Sequence, residues 1–136
     1  LWINMEGLNY NAKIAVVKLL DEILKADKIV HEKEISYKNE VIKLFDFCDD
    51  YQVDVDNLKT SQALDAIREL TKEQKCEIAK MMGKMIVVDE DINYNEVKEY
   101  NAFCESIGVE KNFRVDDYPE YSVCGAFIYP EELLVE

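Results

Sequence analysis

Two short acidic runs hold the side chains best suited to chemistry. Asp27-Lys-Ile-Val30-His-Glu-Lys-Glu34 and Asp89-Glu-Asp-Ile92-Asn-Tyr-Asn-Glu96 share the spacing Asp-x-x-(Val/Ile)-x-x-x-Glu. Their carboxylates are hard oxygen donors, suited to Ca²⁺ or Mg²⁺ rather than to thiolate-seeking metals. Asp27, Glu34, Asp89, Asp91 and Glu96 are the candidate metal-ligating residues, and Glu90 and Asn93 make the second run richer in oxygen. Asp89-x-Asp91-x-Asn93 imitates the opening of an EF-hand loop, but Tyr94 stands where that loop needs Gly and Tyr100 where it needs a bidentate Glu. The run is therefore not an EF-hand. Each acid also has a plain structural reading: Asn93 and Glu96 have the spacing of a capping box, and either Asp can accept loop N–H groups in an Asx-type turn.

Other chemistry finds little support. His31 is the single histidine, with no Glu-x-x-His pair for a di-iron site, which favours a loop or capping role. Cys48, Cys76, Cys104 and Cys124 contain no Cys-x-x-Cys, so they read as reduced, mostly buried thiols of a cytoplasmic protein. The chain shows no Gly-rich phosphate loop and no paired nucleophile and base, so no catalytic residue is assigned and a non-enzymatic binding module is expected.

Helices must position these runs. Between Asn9 and Asp27 the residues Val16, Leu19, Leu20 and Ile23 recur at i, i+3, i+4, i+7, widened by Ile14, Val17 and Leu24. A second helix through Ile35, Val41, Ile42 and Phe45 runs into an acidic stretch, Asp46 to Asp56, expected to be a loop. Ser61 is placed to cap a short helix through Leu70, and Thr71-Lys-Glu-Gln74 is a capping box before a helix ending near Val88. A further helix begins near Asn93 and stops at Gly108, a residue suited to a left-handed C-terminal turn.

These elements repeat. Aligning Asp27 with Asp89 gives an offset of 62 (89 − 27), which also pairs Glu34 with Glu96, Lys18 with Lys80 and Asn39 with Asn101. Val16/Ile78, Leu19/Met81, Leu20/Met82, Ile23/Met85, Val30/Ile92, Ile35/Val97, Val41/Phe103 and Phe45/Ile107 follow in apolar character. Two helical hairpins related by a pseudo-twofold axis, each completing the other's core, explain this pattern. The expected fold is a compact all-α bundle of about six or seven helices.

Composition agrees. The 136 residues are 49% hydrophobic and 33% charged with only four Gly and two Pro, which suits one helical domain spanning residues 1–136. A net charge of −13 repels a phosphate backbone, so nucleic acid is excluded as a partner and a cation or a basic protein surface is favoured. No apolar run reaches the roughly 20 residues needed to span a bilayer, so membrane insertion is not expected. Tyr118-Pro-Glu120 and Tyr129-Pro-Glu131 forbid one continuous helix near the C-terminus, and Val123–Tyr129 is expected to lie extended on the helices.

The two acidic turns resemble the hallmark of the TerB-like family, the all-helical domain associated with bacterial tellurite resistance, in which Asp-Gly-x-(Ile/Val)-x-x-x-Glu recurs between helix pairs. Ser61-Gln-Ala-Leu-Asp-Ala-Ile-Arg68 through Gly108-Val109 looks like the family's second half, so the resemblance covers residues 10–110 and leaves 111–136 as a segment packed on that core. Lys28 and Glu90 replace the family's Gly. Membership implies a role in tellurite or chemical stress, with acidic clusters that hold a divalent cation or contact a partner protein.

Overall fold

The computed structural model describes residues 7–26, 32–47, 50–88, 92–110 and 113. They form six helices and no strand: α1 (Tyr10–Ala26), α2 (Glu32–Phe45), α3 (Tyr51–Asn57), α4 (Thr60–Arg68), α5 (Lys72–Val87) and α6 (Tyr94–Ile107). Local chemistry sets several of their ends. The Ala12 N–H donates to Asn9 Oδ1 at 2.8 Å, satisfying one of the orphan donors that open α1. At α5 the expected capping box is formed, with Gln74 N donating to Thr71 Oγ1 and Thr71 N donating to Gln74 Oε1, both at 3.1 Å. Helix α6 closes on Gly108 at φ 88°, where Gly108 N reaches Glu105 O at 3.3 Å and Val109 N reaches Cys104 O at 3.0 Å. That pair of bonds is a Schellman stop, and its left-handed residue is why glycine stands there.

The repeat is visible in the helix bounds. Adding 62 to α2 gives 94–107, the span of α6, and adding 62 to α1 gives 72–88 against the observed 72–87. The hairpins α1–α2 and α5–α6 exchange contacts in matching pairs: α1 packs on α6 and α5 packs on α2, while α1 and α5 meet at the centre. Helix α1 touches all five other helices, and its buried residues go most of the way round it. Asn11, Lys18, Glu22 and Lys25 mark a narrow polar stripe, and Lys13 lies off it with its ammonium over the Phe45 ring. Leu19, Leu20, Ile23, Met81, Met82 and Met85 are 0 or 1% exposed. Each such side chain contributes about 1.5–3 kcal/mol by leaving water.

Several expectations need correction. The acidic stretch 46–56 is not simply a loop, because Tyr51–Asn57 is helical. Val55 is fully buried, Phe47 and Tyr51 stack with centroids 4.9 Å apart, and Phe47 meets Phe45 edge-on at 5.7 Å, so tertiary burial outweighs the local charge. Asp46 and Asp50 turn the chain at φ 55° and 74°, a left-handed conformation that a short polar side chain tolerates. Ser61 is not the cap of α4: the cap is Lys59, two residues earlier, and Lys59 N donates to Gln62 Oε1 at 2.9 Å. Ile35 is 43% exposed although its counterpart Val97 is 2% exposed. Cys104 is buried as expected, but Cys76 is exposed. Cys48, Cys124 and Val123–Tyr129 lie outside the described residues, as does the segment 111–136 apart from Phe113, which packs edge-on against Tyr100 at 5.7 Å.

Candidate functional site

Glu34 is the third residue of α2 and Glu96 the third residue of α6, and both are 0% exposed. A glutamate in the first helical turn benefits from the positive end of the helix dipole, but full burial of a carboxylate is a much larger commitment than surface capping. The Asn93 half of the expected capping box is present: Asn93 Oδ1 accepts from Asn95 N at 2.8 Å and from Glu96 N at 3.3 Å. The Glu96 side chain itself is fully buried rather than capping at the surface. Ile92, the branched residue of the second run, is buried at 9% exposure. Asp27, Val30, His31, Asp89, Glu90 and Asp91 lie outside the described residues. The structure therefore sets one buried glutamate immediately after each turn. Among the described residues, no three His, Cys, Asp or Glu side chains gather closely enough to hold a metal ion.

The two seams between the hairpins differ in charge. On the seam between α5 and α2, Lys84 Nζ sits 5.7 Å from the centroid of the Tyr37 ring, a cation–π contact. Adding or subtracting 62 carries Lys84 to Glu22 and Tyr37 to Glu99 on the matching α1–α6 seam. There, burial first and the Glu22 carboxylate second raise the proton affinity of Glu99, while Lys18 lies 3.8 Å from Glu22. One side of the bundle is thus acidic where the other is basic and aromatic.

Because Glu99 holds its proton more strongly folded than unfolded, its contribution to stability is complete below the ordinary value of 4.5 and is lost as pH rises through the raised folded value. Glu99→Gln is expected to raise Tm at pH 7 and to leave Tm near pH 4 unchanged. Paired thermal melts of the variant and wild type check this, and a lower Tm at pH 7 would show that the carboxylate is stabilising.

Within the first hairpin a buried ion pair joins the helices: the Lys38 ammonium donates to the carboxylate of Asp21, which is 5% exposed. The corresponding residues of the second hairpin are Gly83 and Tyr100, both buried. Neither Asp21 nor Lys38 belongs to the apolar stripes of its helix. The available signal is that, of the two acids between Leu19 and Leu24, Glu22 falls on the polar stripe and Asp21 does not.

No known family profile and no curated protein matches the sequence. The fold is similar to the crystal structure of a protein of unknown function, PG1108 from Porphyromonas gingivalis W83, with a TM-score of 0.65 and 21% identity over 81% of this chain and 86% of that one. At that identity the likeness establishes an all-α architecture and carries no activity with it. No helix among the described residues is long and apolar enough to cross a membrane.

Proposed function

We propose that this chain is a non-enzymatic, TerB-like binding module acting in the cytoplasm in the response to tellurite or other chemical stress. Its two inter-helix turns are the recognition elements, and their ligand is a divalent cation, Ca²⁺ or Mg²⁺. The observation that carries this reading is the burial of Glu34 and Glu96, one per repeat, at equivalent places beside the acidic turns. Acids kept only for solubility lie in water, since desolvating a carboxylate costs several kcal/mol unless the surroundings compensate it. Two carboxylates do not complete a six-coordinate shell, so the remaining oxygens would come from the turns themselves, from Asp27 in the first and from Asp89 and Asp91 in the second.

The second turn, with more oxygen donors, should bind more tightly. Millimolar Ca²⁺ or Mg²⁺ is expected to raise Tm by mass action, and Asp89→Asn to abolish most of that rise, with calorimetric titration giving the affinity directly. Absence of any cation-dependent shift in the wild type would overturn the cation reading. A second reading, recognition of a basic partner surface, is favoured by the net charge of −13 together with Ile35 and Leu44, exposed by 43 and 44% on α2. Salt-sensitive binding that survives a chelator would distinguish it.

A further inference from the structure

The α5–α6 hairpin carries two thiols in unlike surroundings: Cys76 in the second turn of α5 is exposed, and Cys104 in the last turn of α6 is 0% exposed. The repeat indicates which faces of these helices meet. In the first hairpin Asp21 of α1 contacts Lys38 of α2, so adding 62 sets Gly83 of α5 and Tyr100 of α6 in corresponding places. Cys76 is seven residues before Gly83, two turns along the same stripe of α5, and Cys104 is four residues after Tyr100, one turn along the same stripe of α6. Since the helices run in opposite directions, both steps lead to the end of the hairpin remote from its turn. Gly83 is buried. Burial pushes the Cys104 thiol up to about 11, against a lowering hydrogen bond with Tyr100 and with a further rise from nearby Cys76.

We propose that Cys76 and Cys104 form a peroxide-responsive disulfide that staples α5 to α6. The exposed Cys76 is the thiol that meets the oxidant. As a thiolate it attacks one oxygen of hydrogen peroxide: an S–O bond forms, the O–O bond breaks, and the departing hydroxide takes up a proton to become water. Sulfur is oxidised to a sulfenic acid as peroxide is reduced. Cys104 then gives up its proton and attacks the Cys76 sulfur, so that the S–S bond forms, the S–O bond breaks and hydroxide leaves as a second water. Two thiols and one peroxide yield one disulfide and two waters. The strong hold of Cys104 on its proton slows the second step at neutral pH.

The test uses the full chain, reduced, exposed to hydrogen peroxide at pH 7 and pH 8.5, alkylated under denaturing conditions and mapped by mass spectrometry without reduction. The expected result is a cross-linked peptide pair holding Cys76 and Cys104, formed faster at pH 8.5, reversed by dithiothreitol and accompanied by a higher Tm. Cys76→Ser should leave Cys104 as an alkylatable thiol, and Cys104→Ala should let dimedone trap the sulfenic acid on Cys76. A bridge from Cys76 to Cys48, to Cys124 or to a second copy would overturn the proposal, and so would irreversible oxidation of Cys76 with Cys104 still a thiol.

Discussion

Leu20→Asp or Met82→Asp is expected to abolish the cooperative melting transition of the domain at room temperature. The two residues occupy equivalent places, 20 + 62 = 82, and are 0 and 1% exposed on α1 and α5, the two helices at the bundle centre. Either substitution forfeits about 1.5–3 kcal/mol of apolar burial and adds several kcal/mol for placing a carboxylate where water does not reach. A domain of this size has a total stability of about 5–15 kcal/mol, so one such change consumes most or all of it. Because each hairpin closes the other's core, the two variants should fail equally. Leu44→Asp, on a side chain 44% exposed, is the control and should change stability by no more than about 0.5 kcal/mol. Circular dichroism melts of the three variants decide the matter: a wild-type transition in Met82→Asp would mean that the second hairpin is dispensable.

What could be read in advance was whatever depends on short-range spacing. Thr71 and Gln74 sit three residues apart because a capping box needs that separation, and Gly108 follows the last apolar turn because a left-handed residue must end it. The offset of 62 transfers one hairpin onto the other with nearly the same helix bounds, since the apolar stripes and turn residues repeat together. Features that depend on distant packing were hidden. Tyr51–Asn57 has the composition of an acidic loop and becomes a helix because Val55 is buried and the Phe45, Phe47 and Tyr51 rings assemble beside α1. Ile35 and Val97 match in type and differ in exposure, since α6 has α4 packed against it. At the candidate site the spacing that places Glu34 and Glu96 in a first helical turn was legible. Their burial was not, because a capping glutamate and an interior glutamate occupy the same position in sequence.

Lys38→Met should be the most damaging of the single changes that introduce no new charge. It removes the partner of Asp21 while leaving that carboxylate 5% exposed between α1 and α2. Breaking one side of a buried ion pair typically costs about 3–5 kcal/mol, and since Lys38 keeps 18% exposure and water can reach the vacated site, about 2–4 kcal/mol is expected here. In a domain of this length that lowers Tm by roughly 8–15 °C. The double variant Asp21→Leu with Lys38→Met should recover most of the loss, because apolar groups of similar size fill the space without stranding a charge. The second hairpin supports this expectation from within the same molecule. At the equivalent places it holds Gly83 and Tyr100, with no ion pair between them, and α5 packs on α6 nonetheless. The pair is therefore a local solution to having Asp21 in the core rather than a requirement of the fold. Denaturant titrations of the two single variants and the double variant test this as a double-mutant cycle. Additive losses, with the double variant weaker than either single change, would show that Asp21 and Lys38 act independently and that the carboxylate is stabilised by other groups.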